Sequence, residues 1–134
     1  MIAVDSSAIF AVLRAENDAA LYGTFLAENS GLVMCAPTLV ECHYVIHGFQ
    51  AAIGRQTLDA FLAAAGIDVV ATDTTMIHHA VEARYRYGKG TGHPARLNFG
   101  DCFSYALAKS RDLPLLYKGD DFVHTDVRSA LGEA

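Results

Sequence analysis

Four short strand-like runs, apolar but for Asp68, are spread along the chain: Ile2–Val4, Leu32–Cys35, Asp68–Val70 and residues 115–117. Each is separated from the next by segments with helical periodicity. A run of three or four residues with no polar alternation suits a strand buried on both faces, which requires helices above and below a sheet. The helical segments supply them. Ile9, Phe10, Val12 and Leu13 follow the cap residues Ser6 and Ser7. Leu21, Phe25 and Leu26 share one face of residues 17–28, which end at Ser30-Gly31. Pro37 suits a helical first turn, and that helix is expected to run through Leu39, Val40, Val45 and Ile46 to a terminator at Gly48. Residues 55–65 are alanine-rich, Thr74–Tyr87 follows a capping position, and Asn98 or Gly100 opens a last helix through Phe103, Ala106, Leu107 and Ala108. The alternation predicts a single domain over 1–134 with an α/β fold, a three-layer α/β/α sandwich on a mainly parallel sheet. In this pattern Asp68–Val70 is expected to be a buried strand.

Ligand sites of such sheets lie beyond the carboxyl ends of the strands. Asp5 directly follows the first run, and Asp120 and Asp121 follow the last. Glu41 falls on the second turn of the Pro37 helix and Asp101 at the start of the last one. Taken singly, Asp5 reads equally as a helix cap, Asp101 as a charge favouring a helix N-terminus, and Asp120-Asp121 as a turn. Glu41 is harder to explain that way, because Leu39, Val40 and Cys42 around it are apolar and a carboxylate there needs a partner. Gathered at one sheet edge, these acids repel one another unless a cation offsets the charge or some keep their protons. Oxygen donors alone favour a hard ion, Mg²⁺ or Mn²⁺.

The formal charge of −5 looks unsuited to a polyanionic substrate, but setting four site carboxylates aside leaves −1. A hydrophobic share of 52% argues for a folded core. No apolar stretch approaches the roughly 20 residues of a membrane span, so a cytoplasmic location is expected. Cys35, Cys42 and Cys102 are odd in number and lack CxxC spacing, and read as reduced, buried small hydrophobes.

Four segments carry a family resemblance: Ile2-Ala3-Val4-Asp5-Ser6-Ser7-Ala8, then Thr38-Leu39-Val40-Glu41, then residues 97–108 from Leu97-Asn98-Phe99-Gly100-Asp101 onward, and Leu115-Leu116-Tyr117-Lys118-Gly119-Asp120-Asp121-Phe122 with Thr125-Asp126 after it. In this order and spacing the chain resembles a PIN-domain endoribonuclease, and more closely a VapC-type toxin of a bacterial toxin–antitoxin pair. The resemblance implies a PIN-like sandwich and divalent-metal-dependent cleavage of RNA that leaves a 5′-phosphate and a 3′-hydroxyl. It places Asp5, Glu41 and Asp101 as the first three acids. The fourth is Asp121, whose place before Phe122 fits the family's acidic turn, or else the adjacent Asp120. Ser7 matches a small hydroxyl residue that orients a carboxylate or a water. Also implied are a VapB-like antitoxin, whose C-terminal segment blocks the acidic site, and a homodimer. The helices of residues 17–28 and 55–65 are candidate contact surfaces.

Arg84, Arg86, Lys89 and Arg96, interleaved with Tyr85, Tyr87 and His93 near the Gly88-Lys89-Gly90-Thr91-Gly92 loop, are candidate RNA contacts, since rings stack on bases while cations follow the backbone. Basic residues ending a helix are equally explained by its dipole. His43 and His47 have the i, i+4 spacing of a zinc pair, but Tyr44 stands where the peptidase pattern needs Glu. A phospho-acceptor domain needs an acidic pair after the first strand and a dehalogenase-type phosphatase a second Asp at position 7. Ser6 and Ser7 stand in those places.

Overall fold

The computed structural model describes residues 1–132. Strands β1 (Ile2–Val4), β2 (Leu32–Cys35), β3 (Asp68–Val70) and β4 (Leu115–Leu116) form one parallel sheet in the order β3-β2-β1-β4. Ala3 pairs with Val33 on one side and Leu115 on the other, so β1 is central. Alternate side chains of these strands enter different cores, which explains why the runs carry no polar alternation. Ala3, Val33, Cys35 and Leu115 face one cluster, built with α5 (Thr74–Tyr87) and α6 (Phe99–Ser110). Val4, Leu32, Met34 and Leu116 face the other, built with α1 (Ser6–Leu13), α2 (Ala19–Glu28), α3 (Ala36–Phe49) and α4 (Gly54–Ala65). The α/β/α sandwich is as expected.

Four local expectations are corrected. β3 is an edge strand with Asp68 and Val69 exposed, because β2 is its only neighbour. α2 starts at Ala19 rather than residue 17. The Asp18 carboxylate that would cap it accepts instead from Lys118 Nζ at 2.9 Å, beside Glu16 at 2.7 Å. α3 runs through Gly48 to Phe49, since that glycine keeps helical backbone and nothing nearby forces a stop. β4 ends at Leu116, one residue early, where Asp5 N–H takes the Leu116 carbonyl and ends the ladder.

The three cysteines are buried and free. Among the described residues no helix is long and apolar enough to cross a membrane. The glycine-rich segment after α5 is pinched shut, with Lys89 N–H donating to the Leu97 carbonyl and Leu97 N–H to that of Tyr87, both at 2.9 Å. Its exit leads straight into α6, whose start is fixed by Asn98.

Candidate active site

β1 delivers Asp5 to the carboxyl edge of the sheet, where it caps α1 from an extended backbone. Only 2% of Asp5 is exposed. Its Oδ2 accepts from Ser7 N–H at 3.0 Å and from Ser7 Oγ at 2.6 Å, and its Oδ1 accepts from Ser104 Oγ on α6. Ser7 Oγ in turn accepts from the Lys118 N–H at 3.0 Å, which ties the end of β4 to the start of α1. Every donor on this carboxylate is neutral. The bonds orient the charge without cancelling it.

Glu41 enters from the second turn of α3, a helix started by Pro37 in its first turn. Its Oε1 accepts from Ser6 Oγ at 2.8 Å. Burial pushes this carboxyl up from its ordinary value; the Ser6 bond opposes that shift and the charge of Asp5 adds to it. The other oxygen lies against Gly100 so closely that a methyl group there would stand 1.9 Å from Oε2. Gly100 has no left-handed backbone, so glycine is required here for space alone.

Asp101 is the third residue of α6. Its Oδ2 accepts from Asn98 N–H and its own N–H donates to Asn98 Oδ1, both at 2.9 Å, a complete capping box. Its pKa is nonetheless pushed up to about 7. Burial is the largest cause, opposed by the Asn98 N–H and reinforced by the charges of Asp5, Asp121 and Glu41. Cap and cluster member, alternatives in the sequence, are the same residue. Asp121, at the start of the 3-10 turn Phe122–His124, acts on Asp101, whereas Asp120 is not among the charges that do.

Among the described residues, no three His, Cys, Asp or Glu side chains are drawn together as tightly as a formed metal shell. The acids share one edge and one field, with oxygen donors only. That donor set fits a hard divalent cation.

Sequence reasoning passed over Ser6, Thr38, Gly100 and Ser104. Ser104 lies one helical turn beyond Asp101, so the i, i+3 spacing places both on one face and was a usable signal. The contact between Ser104 and Asp5 spans 99 positions and had none.

The basic segment is only partly as expected. Arg84, Arg86, Lys89 and Arg96 are exposed. Arg86, however, stands 3.8 Å from Asp126 and 4.9 Å above the Tyr87 ring. Tyr87 is buried against Tyr105 and His93 and offers no face for a base, because its ring fills the core beneath the loop. Tyr85 is exposed. His43 pairs with Asp59 at 3.3 Å, and His47 is exposed with no third ligand among the described residues.

Of the two helices considered as contact surfaces, α4 turns Leu58 and Leu62 into its own core, while α2 exposes Leu21. Large exposed apolar side chains also stand beside Glu41: Val40, Tyr44 and Phe99. They line a groove of about 810 Å³ that Glu41 also borders.

The family model described as PIN domain matches residues 2–128. Ribonuclease VapC28 of Mycobacterium tuberculosis is 43% identical over 128 residues, covering 96% of each chain. Among solved structures, Mycobacterium tuberculosis VapC20, described as a sarcin–ricin loop cleaving toxin, has a TM-score of 0.76 at 15% identity and covers 95% of this chain and 96% of its own. VapBC2 from Rickettsia felis, bound to a DNA fragment from its promoter, has a TM-score of 0.69 at 15% identity, covering 92% and 91%. At those identities the structures share the fold.

Proposed function

Since the chain belongs to the PIN-domain family and, within it, to the VapC ribonucleases, we propose that it is a Mg²⁺-dependent endoribonuclease, the toxin of a toxin–antitoxin pair. The observation that carries this reading is the meeting of Asp5, Glu41 and Asp101 at the carboxyl edge of the sheet, with Asp5 buried between Ser7 and Ser104 and Glu41 packed on Gly100 beside Asp101. Acids held in one another's field without a cation form a site that ionises fully only when one arrives. Asp5, Asp101 and Asp121 would hold the ion, with Glu41 as a further ligand, directly or through water; Mn²⁺ has the same donor preference. A divalent ion there supplies charge neutralisation of the phosphodiester, acidification of water and stabilisation of the departing oxygen.

The chain's own residues do the rest. Ser7 and Ser104 keep the Asp5 carboxylate from rotating. Glu41 holds Oε1 on Ser6; among the described residues its Oε2 makes no hydrogen bond, and that oxygen would take the proton of an attacking water. Its raised pKa brings it nearer the operating pH, where such transfer is efficient. Among the described residues, Arg84, Lys89 and Arg96 are the cations of this segment that make no ion pair, and they would follow an RNA backbone. Exposed Tyr85 lies among them.

The same reading includes a VapB-like antitoxin that inhibits the enzyme, a homodimer, and action on RNA in the cytoplasm. Solved relatives include a toxin–antitoxin complex from Klebsiella pneumoniae, which supports the partner.

The test is Asp5→Asn with a mixed RNA pool and 5′-end sequencing, with and without Mg²⁺. The variant should fold, since Ser104 Oγ can reverse to accept from the new amide while its proton turns to Thr38 Oγ1, 3.5 Å away. Wild type should cut RNA only with the metal, leaving 5′-phosphates. Undiminished cutting by folded Asp5→Asn overturns the assignment.

A further inference from the structure

Three side chains far apart in the sequence form a buried line at the site: Thr38 on α3, Ser104 on α6 and Asp5 at the end of β1. Each is exposed by no more than 2%. Ser104 Oγ must donate to Asp5 Oδ1, because an ionised carboxylate only accepts. A hydroxyl has one proton, so toward Thr38 Oγ1, at 3.5 Å, Ser104 can only accept and Thr38 donates. The direction of the line is therefore fixed, Thr38 to Ser104 to Asp5.

This line decides what Asp5 presents to the site. A carboxylate has about four acceptor positions. Two on Oδ2 are taken by the Ser7 N–H and hydroxyl, and one on Oδ1 by Ser104. Among the described residues nothing takes the remaining acceptor position, which is on Oδ1. With Ser7 alone, the carboxylate would keep one oxygen held and the other undefined. Ser104 supplies the second anchor, and it does so from one turn beyond Asp101 on the same helix. α6 thus fixes two acids at once, one by carrying it and one by bonding to it.

We propose that Ser104, oriented by Thr38, is a positioning residue that aims the remaining acceptor position of Asp5 Oδ1 at a divalent cation and keeps it in register with Asp101. The inference rests on the ribonuclease reading for its consequence in catalysis, but its effect on cation binding stands apart from turnover. Outer hydroxyl partners of metal-binding carboxylates change affinity by about 10- to 100-fold when removed.

The experiment measures Mn²⁺ binding to the purified protein by electron paramagnetic resonance, alongside kcat and KM on one RNA oligonucleotide, for Ser104→Ala, Ser104→Thr, Ser104→Cys and Thr38→Val. Ser104→Ala should weaken Mn²⁺ binding about tenfold and lower kcat with KM for RNA unchanged, as expected for lost orientation of a ligand. Ser104→Thr keeps the hydroxyl and should recover most of both, while Thr38→Val should show a smaller loss of the same kind. Ser104→Cys keeps the volume with a weak donor, so it carries the test if the alanine variant unfolds. Wild-type Mn²⁺ affinity in folded Ser104→Ala or Ser104→Cys overturns the proposal. Weakened Mn²⁺ binding in those variants, from a wild type that cuts no RNA, would support the positioning role and sink the ribonuclease reading instead.

Discussion

Replacing Gly100 by alanine should disable the site while sparing the fold. A methyl group at this position would lie 1.9 Å from Glu41 Oε2 and 2.6 Å from its Cδ, against 3.4 Å for ordinary contact. The obstructing atoms are the far end of a flexible side chain, so the cheap relief is for the carboxylate to retreat by about 1.5 Å, and the 2.8 Å bond from Ser6 is lost as it does. A displacement of about 1 Å in a reacting group costs on the order of 100-fold in rate. The stability terms oppose one another: alanine is favoured over glycine in a helix by about 1 kcal/mol, and one hydrogen bond is worth about the same. Gly100→Ala should therefore melt near wild type and cleave an RNA oligonucleotide about 100-fold more slowly. Gly48→Ala is the control. Nothing lies within 4 Å of a methyl group there, so it should gain about 0.5–1 kcal/mol and cut normally. Because both changes act through one carboxylate, Gly100→Ala and Glu41→Gln should be strongly non-additive. Cleavage by Gly100→Ala within about threefold of wild type, or full additivity with Glu41→Gln, refutes the reasoning.

Two other outcomes follow from the charges around Asp101. Its carboxyl is raised to about 7 in the folded, metal-free protein, so the fold binds a proton that the unfolded chain releases near pH 4. That contribution is complete at low pH and is lost as pH rises through 7. Melting in a chelator should show this decline, with Asp101→Asn lacking that part of the slope; identical slopes would refute the shift. Mg²⁺ binding at pH 6.5 should release protons, read by calorimetry in buffers of different ionisation enthalpy. For the fourth acid, Asp121→Asn should lower cleavage and Mn²⁺ affinity much more than Asp120→Asn, since Asp121 shares the field at Asp101. Equal effects in both assays would remove the distinction.

Much of this protein is written in local order. An apolar run three or four residues long, followed by a cap and a helical stripe, is a statement about neighbours in the chain, and neighbours in the chain are what a sequence reports. The alternation of strands and helices, the placing of Asp5 at a strand end and of Asp101 in a first helical turn, and the unpaired cysteines were all legible on those grounds. The convergence of Asp5, Glu41 and Asp101 was legible through the family pattern, because each motif brings its acid to a known edge.

Contacts across the sheet were not legible, for a physical reason. Strand order is decided by which faces pack, so nothing in Asp68–Val70 announces an edge strand. The second helix reads as starting at residue 17 until Lys118, a hundred residues along from Asp18, takes the Asp18 carboxylate. Tyr87 looks like a ring for RNA until the loop closes over it. Asp120 and Asp121 are nearly equivalent as letters, and it is the turn into Phe122 that sets them apart, with Asp121 at its start. Sequence by itself determined which chemistry gathers at the sheet edge. Ser7 and Asn98 hold Asp5 and Asp101 as chain neighbours, but tertiary structure alone decided the second anchor of Asp5 and the space that admits Glu41, because Ser104 and Gly100 both come from α6, a helix more than fifty residues beyond Asp5 and Glu41.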